Sequence, residues 1–163
     1  MEPLNVIFGV ASILGLVFSA LAFWQAKNAS RAAREARDNA IMRTLADELE
    51  IACLRTDQLT DFLAHGRIAE AALRAQELTS SLSEIPSRRG PYLKEPQINS
   101  LLTIREQLSS IHDAIGNARK EPDRDCDIDQ FIKVASRANM NLREVLGKVK
   151  SRMELGVTDG QAR

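Results

Sequence analysis

The hydrophobic pattern of the chain begins as a block and only later becomes a rhythm. From Leu4 to Trp24 it reads LNVIFGVASILGLVFSALAFW, without one charged side chain. At about 1.5 Å of rise per residue, such a helix covers roughly 30 Å, the hydrocarbon thickness of a bilayer, so the run predicts a single transmembrane helix. A cleaved signal peptide is the competing assignment, because Ala20, Leu21 and Ala22 resemble a small-x-small cleavage site. The length of the run, Glu2, and the lack of Lys or Arg ahead of it weigh against cleavage.

After the block comes a stripe of small residues. Ser19, Ala22, Ala26, Ala29, Ala33, Ala36 and Ala40 follow one another at alternating steps of three and four, the seam spacing of a heptad. Ala11 and Gly15 carry the stripe back into the apolar block. Small side chains let two helix backbones approach closely, so the stripe predicts oligomerisation of the chain with its own copies. On the other face lie Lys27, Asn28, Arg31, Arg34, Glu35 and Asp38, with Arg31 to Glu35 and Arg34 to Asp38 spaced for ion pairs along a helix. A plain alanine rod would also be helical without any seam. Asn5, Ser12 and Ser19 recur every seven residues, which would line a pore if several such helices formed a ring.

From Ile41 the residues of the alanine seam are expected to grow larger, and a folded core to begin. Leu45, Leu49, Ala52, Leu59 and Leu63 keep helical spacing, with Thr56 in the one weak slot, and Gly66 after His65 is placed to end the helix. A second stripe, Ile68, Ala71, Ala75, Leu78, Leu82 and Ile85, predicts a helix from about Arg67 that stops at Pro86. The stretch PSRRGPYLKEP, Pro86 to Pro96, is expected to be a linker. A third helix, Gln97 to Lys120, points Ile98, Leu101, Leu108, Ile111, Ile115 and Ala118 inward, and Glu121 with Pro122 ends it. A fourth starts near Ile128, where Asp127 and Gln130 have capping-box spacing, and points Phe131, Ala135, Leu142, Val145, Val149 and Met153 inward.

These stripes predict an all-α chain: a single N-terminal transmembrane helix continuous with an alanine-rich stalk, then an antiparallel bundle of about four helices. The expected divisions are a transmembrane helix over 1–25, a stalk over 26–40, a cytoplasmic bundle over 41–153 and a flexible tail over 154–163.

Charge adds direction. Lys27, Arg31, Arg34 and Arg37 crowd one flank of the apolar block, so the positive-inside rule places the N-terminus outside and the bundle in the cytoplasm. The formal net charge is zero, which provides no basic field for nucleic acid. Cys53 and Cys126 lie too far apart for a zinc knuckle or a redox pair, as suits a reducing compartment.

Candidate chemistry is sparse. Arg88, Arg89 and Lys94 around Tyr92 form a possible loop for a ligand or partner. Asp123, Asp125, Asp127 and Asp129 alternate, but an EF-hand loop from Asp123 would need Gly at Ile128 and Glu at Val134, so no metal is expected. His112 beside Asp113 is expected on the exposed or boundary side of the third helix, Cys53 and Cys126 have no adjacent histidine, and there is no Gly-rich phosphate loop, H-E-x-x-H or G-x-S-x-G, so no catalytic set or cofactor is expected. The sequence therefore points to a single-pass membrane scaffold or adaptor that self-associates and presents its bundle to a cytosolic partner. An oligomeric membrane effector or pore is the first alternative, and a helical-bundle ligand sensor the second.

Overall fold

The computed structural model describes the backbone of residues 3–120 and 127–161, and the side chains of residues 15–16, 18–118 and 127–154. Among them the chain is all-α: α1 Pro3–Ala64, α2 Ile68–Arg89, α3 Glu95–Lys120 and α4 Ile128–Gln161, with a 3-10 turn Gly90–Tyr92 between α2 and α3. It divides into two units, Met1–Ile41 and Met42–Arg163, next to the boundary expected at Ala40.

The second unit is a four-helix bundle with an aliphatic core. Leu45, Leu49, Leu59 and Leu63 of α1, Leu78 and Leu82 of α2, Leu101, Leu108 and Ile111 of α3, and Leu142 of α4 are buried, as their spacing predicts. Ile104 and Ala138 are buried too, although the sequence reading leaves them out. Ile98, Ala118 and Phe131, expected to face in, are half-buried at the edge of the core. Thr56 is fully buried, and its hydroxyl donates to the Ala52 carbonyl at 2.8 Å, so a polar residue fits the weak slot without an unpaired group.

Side-chain links between helices show that neighbours run antiparallel. Arg89 meets Glu48 and Arg55 meets Ser81 across α2 and α1, while Arg143 meets Asp57 and Lys150 meets Glu50 across α4 and α1. In each set the higher number on one helix pairs with the lower on the other.

The turns follow local rules. Gly66 has φ +67°, its N–H donates to Leu63 O at 3.1 Å, and the Arg67 N–H donates to Phe62 O at 2.8 Å. That is a Schellman ending to α1, and the Arg67 guanidinium lies 4.6 Å over the Phe62 ring, where a hydrophobic contact is usual. Asp127 caps α4, accepting the Gln130 N–H at 2.9 Å on Oδ1.

Two expectations need correction. Pro86 does not stop α2, which continues to Arg89. Pro86 cannot bond back to Leu82 O, but the following turn is secured elsewhere: Ile85 is buried, Ser87 donates to Glu84 O at 2.8 Å, and Arg88 pairs with Glu84 at 2.9 Å. The expected Pro86 to Pro96 linker shrinks accordingly, since α3 already starts at Glu95. Pro96 sits in its first turn, where a missing N–H costs nothing. The core stripe of α1 is also not the alanine line enlarged. Steps of seven from Ala26 through Ala33 and Ala40 arrive at Asp47, Leu54 and Asp61, which are exposed.

Among the described residues, no helix is long and apolar enough to cross a membrane. Most side chains of the Leu4 to Trp24 run lie outside the described residues, as do Ala11, Asp123, Asp125 and Cys126. Past Met153, α4 extends to Gln161, through most of the stretch expected as a tail.

Candidate functional site

In the first unit every described stripe residue, Gly15, Ser19, Ala22, Ala26, Ala29, Ala33, Ala36 and Ala40, is exposed. So are Leu16, Phe18, Leu21, Phe23 and Trp24. At roughly 100° per residue, Trp24, Leu21, Phe18 and Phe23 stand about 80°, 140°, 200° and 340° around α1 from Leu16. The gap in that circle, roughly 240° to 300°, holds Gly15, Ser19 and Ala22. Large apolar residues thus cover most of the circumference, and the small residues occupy the remaining face.

The expected ligand loop is arranged differently from its sequence suggestion. Arg88 and Arg89 are each matched to a carboxylate, Glu84 at 2.9 Å and Glu48 at 3.1 Å. Tyr92 is half-buried, and Lys94 is exposed with its backbone N–H held by Gln97 Oε1 at 2.8 Å. The residue that joins this corner to the bundle has no local signal in the sequence. Arg152 of α4 donates to Tyr92 O and to Gln97 Oε1, both at 3.0 Å. Gln97 therefore does two jobs with one buried oxygen, capping α3 and receiving an arginine 55 residues on. Tyr92 and Lys94 of the expected loop are brought together with Gln97 and Arg152 as a structural corner, whereas Arg88 and Arg89 are held by their own acid partners, Glu84 and Glu48.

Grooves between neighbouring helices offer the remaining candidates. The α1/α2 groove, about 220 Å³, has Ala52, Ile51 and Ile85 in its lining. Its charges are used: Glu48 and Glu84 hold the two arginines, and Arg55 donates to Ser81 at 3.3 Å. The α3/α4 groove, about 300 Å³, has its charges joined as well, Lys148 to Glu144 at 2.5 Å.

The α2/α3 groove is different. It measures about 420 Å³, and all eight side chains lining it are polar: Gln76, Thr79, Ser80 and Ser83 of α2 opposite Arg105, Glu106, Ser109 and His112 of α3. Its arginine and carboxylate stand 3.8 Å apart, too far for a hydrogen bond. His112 Nδ1 lies 3.1 Å from the Ala72 carbonyl oxygen. A carbonyl only accepts, so Nδ1 carries the proton and donates. His112, expected at the exposed or boundary side of α3, is half-buried. No pattern local to either helix shows that α2 places hydroxyls opposite it.

Among the described residues, no group of three His, Cys, Asp or Glu could hold a metal ion. Cys53 is buried, and that burial pushes its thiol above the ordinary value, with Arg143 opposing the shift and Asp57 adding to it. Such a thiol is a poor nucleophile. Comparison of the chain with protein-family models, curated proteins and solved structures finds no match.

Proposed function

We propose that the protein is a membrane-anchored, self-associating helical scaffold, with its N-terminus outside and its bundle presented to a cytosolic partner. The observation that carries this reading is the distribution of side chains around α1. Leu16, Phe18, Leu21, Phe23 and Trp24 are exposed on several sides of one helix, and Gly15, Ser19 and Ala22 fill the remaining face. A helix docking on a protein groove needs one apolar face, whereas lipid wets every side. The small face supplies what lipid cannot, close backbone contact with another helix. Lys27, Arg31, Arg34 and Arg37, all exposed, support the inward orientation of the C-terminal side.

The paired charges and aliphatic core of the bundle favour presentation over chemistry. Replacing Ala26, Ala33 and Ala40 together by Glu should abolish crosslinking between copies in membranes while the chain stays membrane-bound. Replacing Leu16, Phe18 and Leu21 by Lys should release it from vesicles. Undiminished crosslinking in the first variant would remove the self-association claim, and retention of the second would remove the anchor.

A further inference from the structure

The first charges beyond the apolar block are all of one sign. From Leu4 to Arg34 the chain holds Lys27, Arg31 and Arg34 and no acid, and these three side chains are exposed. Counted from Leu16, Trp24, Arg31 and Lys27 stand at about 80°, 60° and 20° around α1, on one side of the helix. Ala26, Ala33 and Ala29 stand at about 280°, 260° and 220°, on the opposite side. Along the axis Lys27 and Arg31 lie about 4.5 and 10.5 Å beyond Trp24, and helical side chains lean back toward the N-terminus. Arg34 and Arg37 lie farther out, about 15 and 19.5 Å beyond Trp24. The acids of this side, Glu35 and Asp38, come later still, about 12 and 16.5 Å past Lys27. Those separations exceed the Debye length of about 8 Å at physiological salt, so neither acid offsets Lys27. Glu35 lies about 6 Å past Arg31 and offsets it in part.

We propose that Lys27 and Arg31 bind the headgroup phosphate of an acidic phospholipid, in the leaflet on the C-terminal side of the anchor. The inference rests on the membrane reading of the apolar block and names the lipid that block meets. The headgroup layer is roughly 5 to 8 Å deep on each side of the hydrocarbon. With Trp24 at the hydrocarbon boundary, that depth is within reach of the Lys27 and Arg31 side chains and beyond that of Arg37. Arg31 offers phosphate oxygens a planar fork of donors, and Lys27 offers a point charge beside it. A zwitterionic headgroup brings its own cation to these two and gains less. Lipid and a second copy of the chain do not compete, because the alanine face lies on the other side of α1. The cations between bundle helices are differently placed: Arg89, Arg143 and Lys150 each meet a carboxylate, at 3.1, 2.8 and 3.0 Å.

The test uses Trp24, the chain's only tryptophan, in the full chain reconstituted into vesicles. Lipids brominated on their acyl chains quench a tryptophan that they lie against. In vesicles of equal parts phosphatidylcholine and phosphatidylglycerol, bromine on the phosphatidylglycerol should quench as though that lipid were enriched about fivefold beside Trp24, the factor that one cation supplies at a charged surface. Lys27→Gln combined with Arg31→Gln should remove the enrichment. Salt at about 1 M should remove it from the unaltered chain, because the Debye length falls to about 3 Å. Arg34→Gln combined with Arg37→Gln removes as much charge and should leave most of it. Equal quenching by the two lipids, or an enrichment that both double variants keep or lose alike, overturns the proposal. The anchor survives that result if the chain still floats with vesicles of phosphatidylcholine alone. A chain that does not float with them overturns the anchor, and the lipid site with it.

Discussion

In the unit Met1–Ile41, Leu16, Phe18, Phe23 and Trp24 are each more than 60% exposed, whereas in Met42–Arg163 Leu45, Leu49, Leu82 and Leu108 have no exposed surface at all. Both sets sit on α-helices and both are apolar. The difference lies in their angular spread. Bundle leucines recur at three and four, confining them to one side of each helix, where burying each contributes about 1.5 to 3 kcal/mol. Residues 16 to 24 carry their large side chains around most of the circumference, which no single neighbouring helix could cover. The first pattern is solved by water-driven packing within one chain. The second asks for an apolar surround.

The largest expected effect that probes this contrast is in the core. Leu108→Ala should cost about 2 to 5 kcal/mol in a urea titration of the bundle, because a cavity opens among fully buried neighbours. Leu21→Ala should stay within about 0.5 kcal/mol in the same titration. Similar losses for both would break the comparison. Arg152→Ala comes next, at about 1 to 3 kcal/mol, since Tyr92 O and the buried Gln97 lose a charged donor. An unshifted midpoint would show that corner to be incidental to bundle stability. Gly66→Ala should cost about 1 to 2 kcal/mol. At φ +67° the penalty is conformational, for a Cβ there would meet nothing within 4 Å.

The smallest effect concerns Cys53. Its folded-state pKa is raised by burial, so the protonated thiol contributes stability that is present below the ordinary thiol value and declines as pH rises through the raised one. In a Cys126→Ser background, maleimide should label Cys53 slowly in the folded bundle and rapidly in urea. Equal rates would contradict its burial.

How much of this was legible depends on the range of the interaction. The end of α1 at Gly66, the cap at Asp127 and the buried role of Thr56 were readable, because each rests on partners within five residues. Ile104 and Ala138 had the same signal, completing the three-and-four spacing of Leu101 to Leu108 and Ala135 to Leu142. Pro86 misled because proline reports only the local cost. The ion pair between Arg89 and Glu48, 41 residues apart, lies outside that local view. The expected ligand loop shows the same limit. Basic residues in sequence look available until the fold supplies their acids.

The sequence by itself determined that the bundle is helical, most of the positions that turn inward, the end of α1 at Gly66 and the cap of α4 at Asp127. All of these follow from the 3.6-residue repeat and from backbone groups a turn apart. Only the tertiary structure decided which charges are spent and which remain. Arg89 and Arg152 are committed to the bundle by partners 41 and 55 residues away, while Arg105 and His112 line a groove shared with hydroxyl side chains of α2. The physical reason is that a hydrogen bond uses up a donor or acceptor, and the partner that uses it can lie anywhere along the chain.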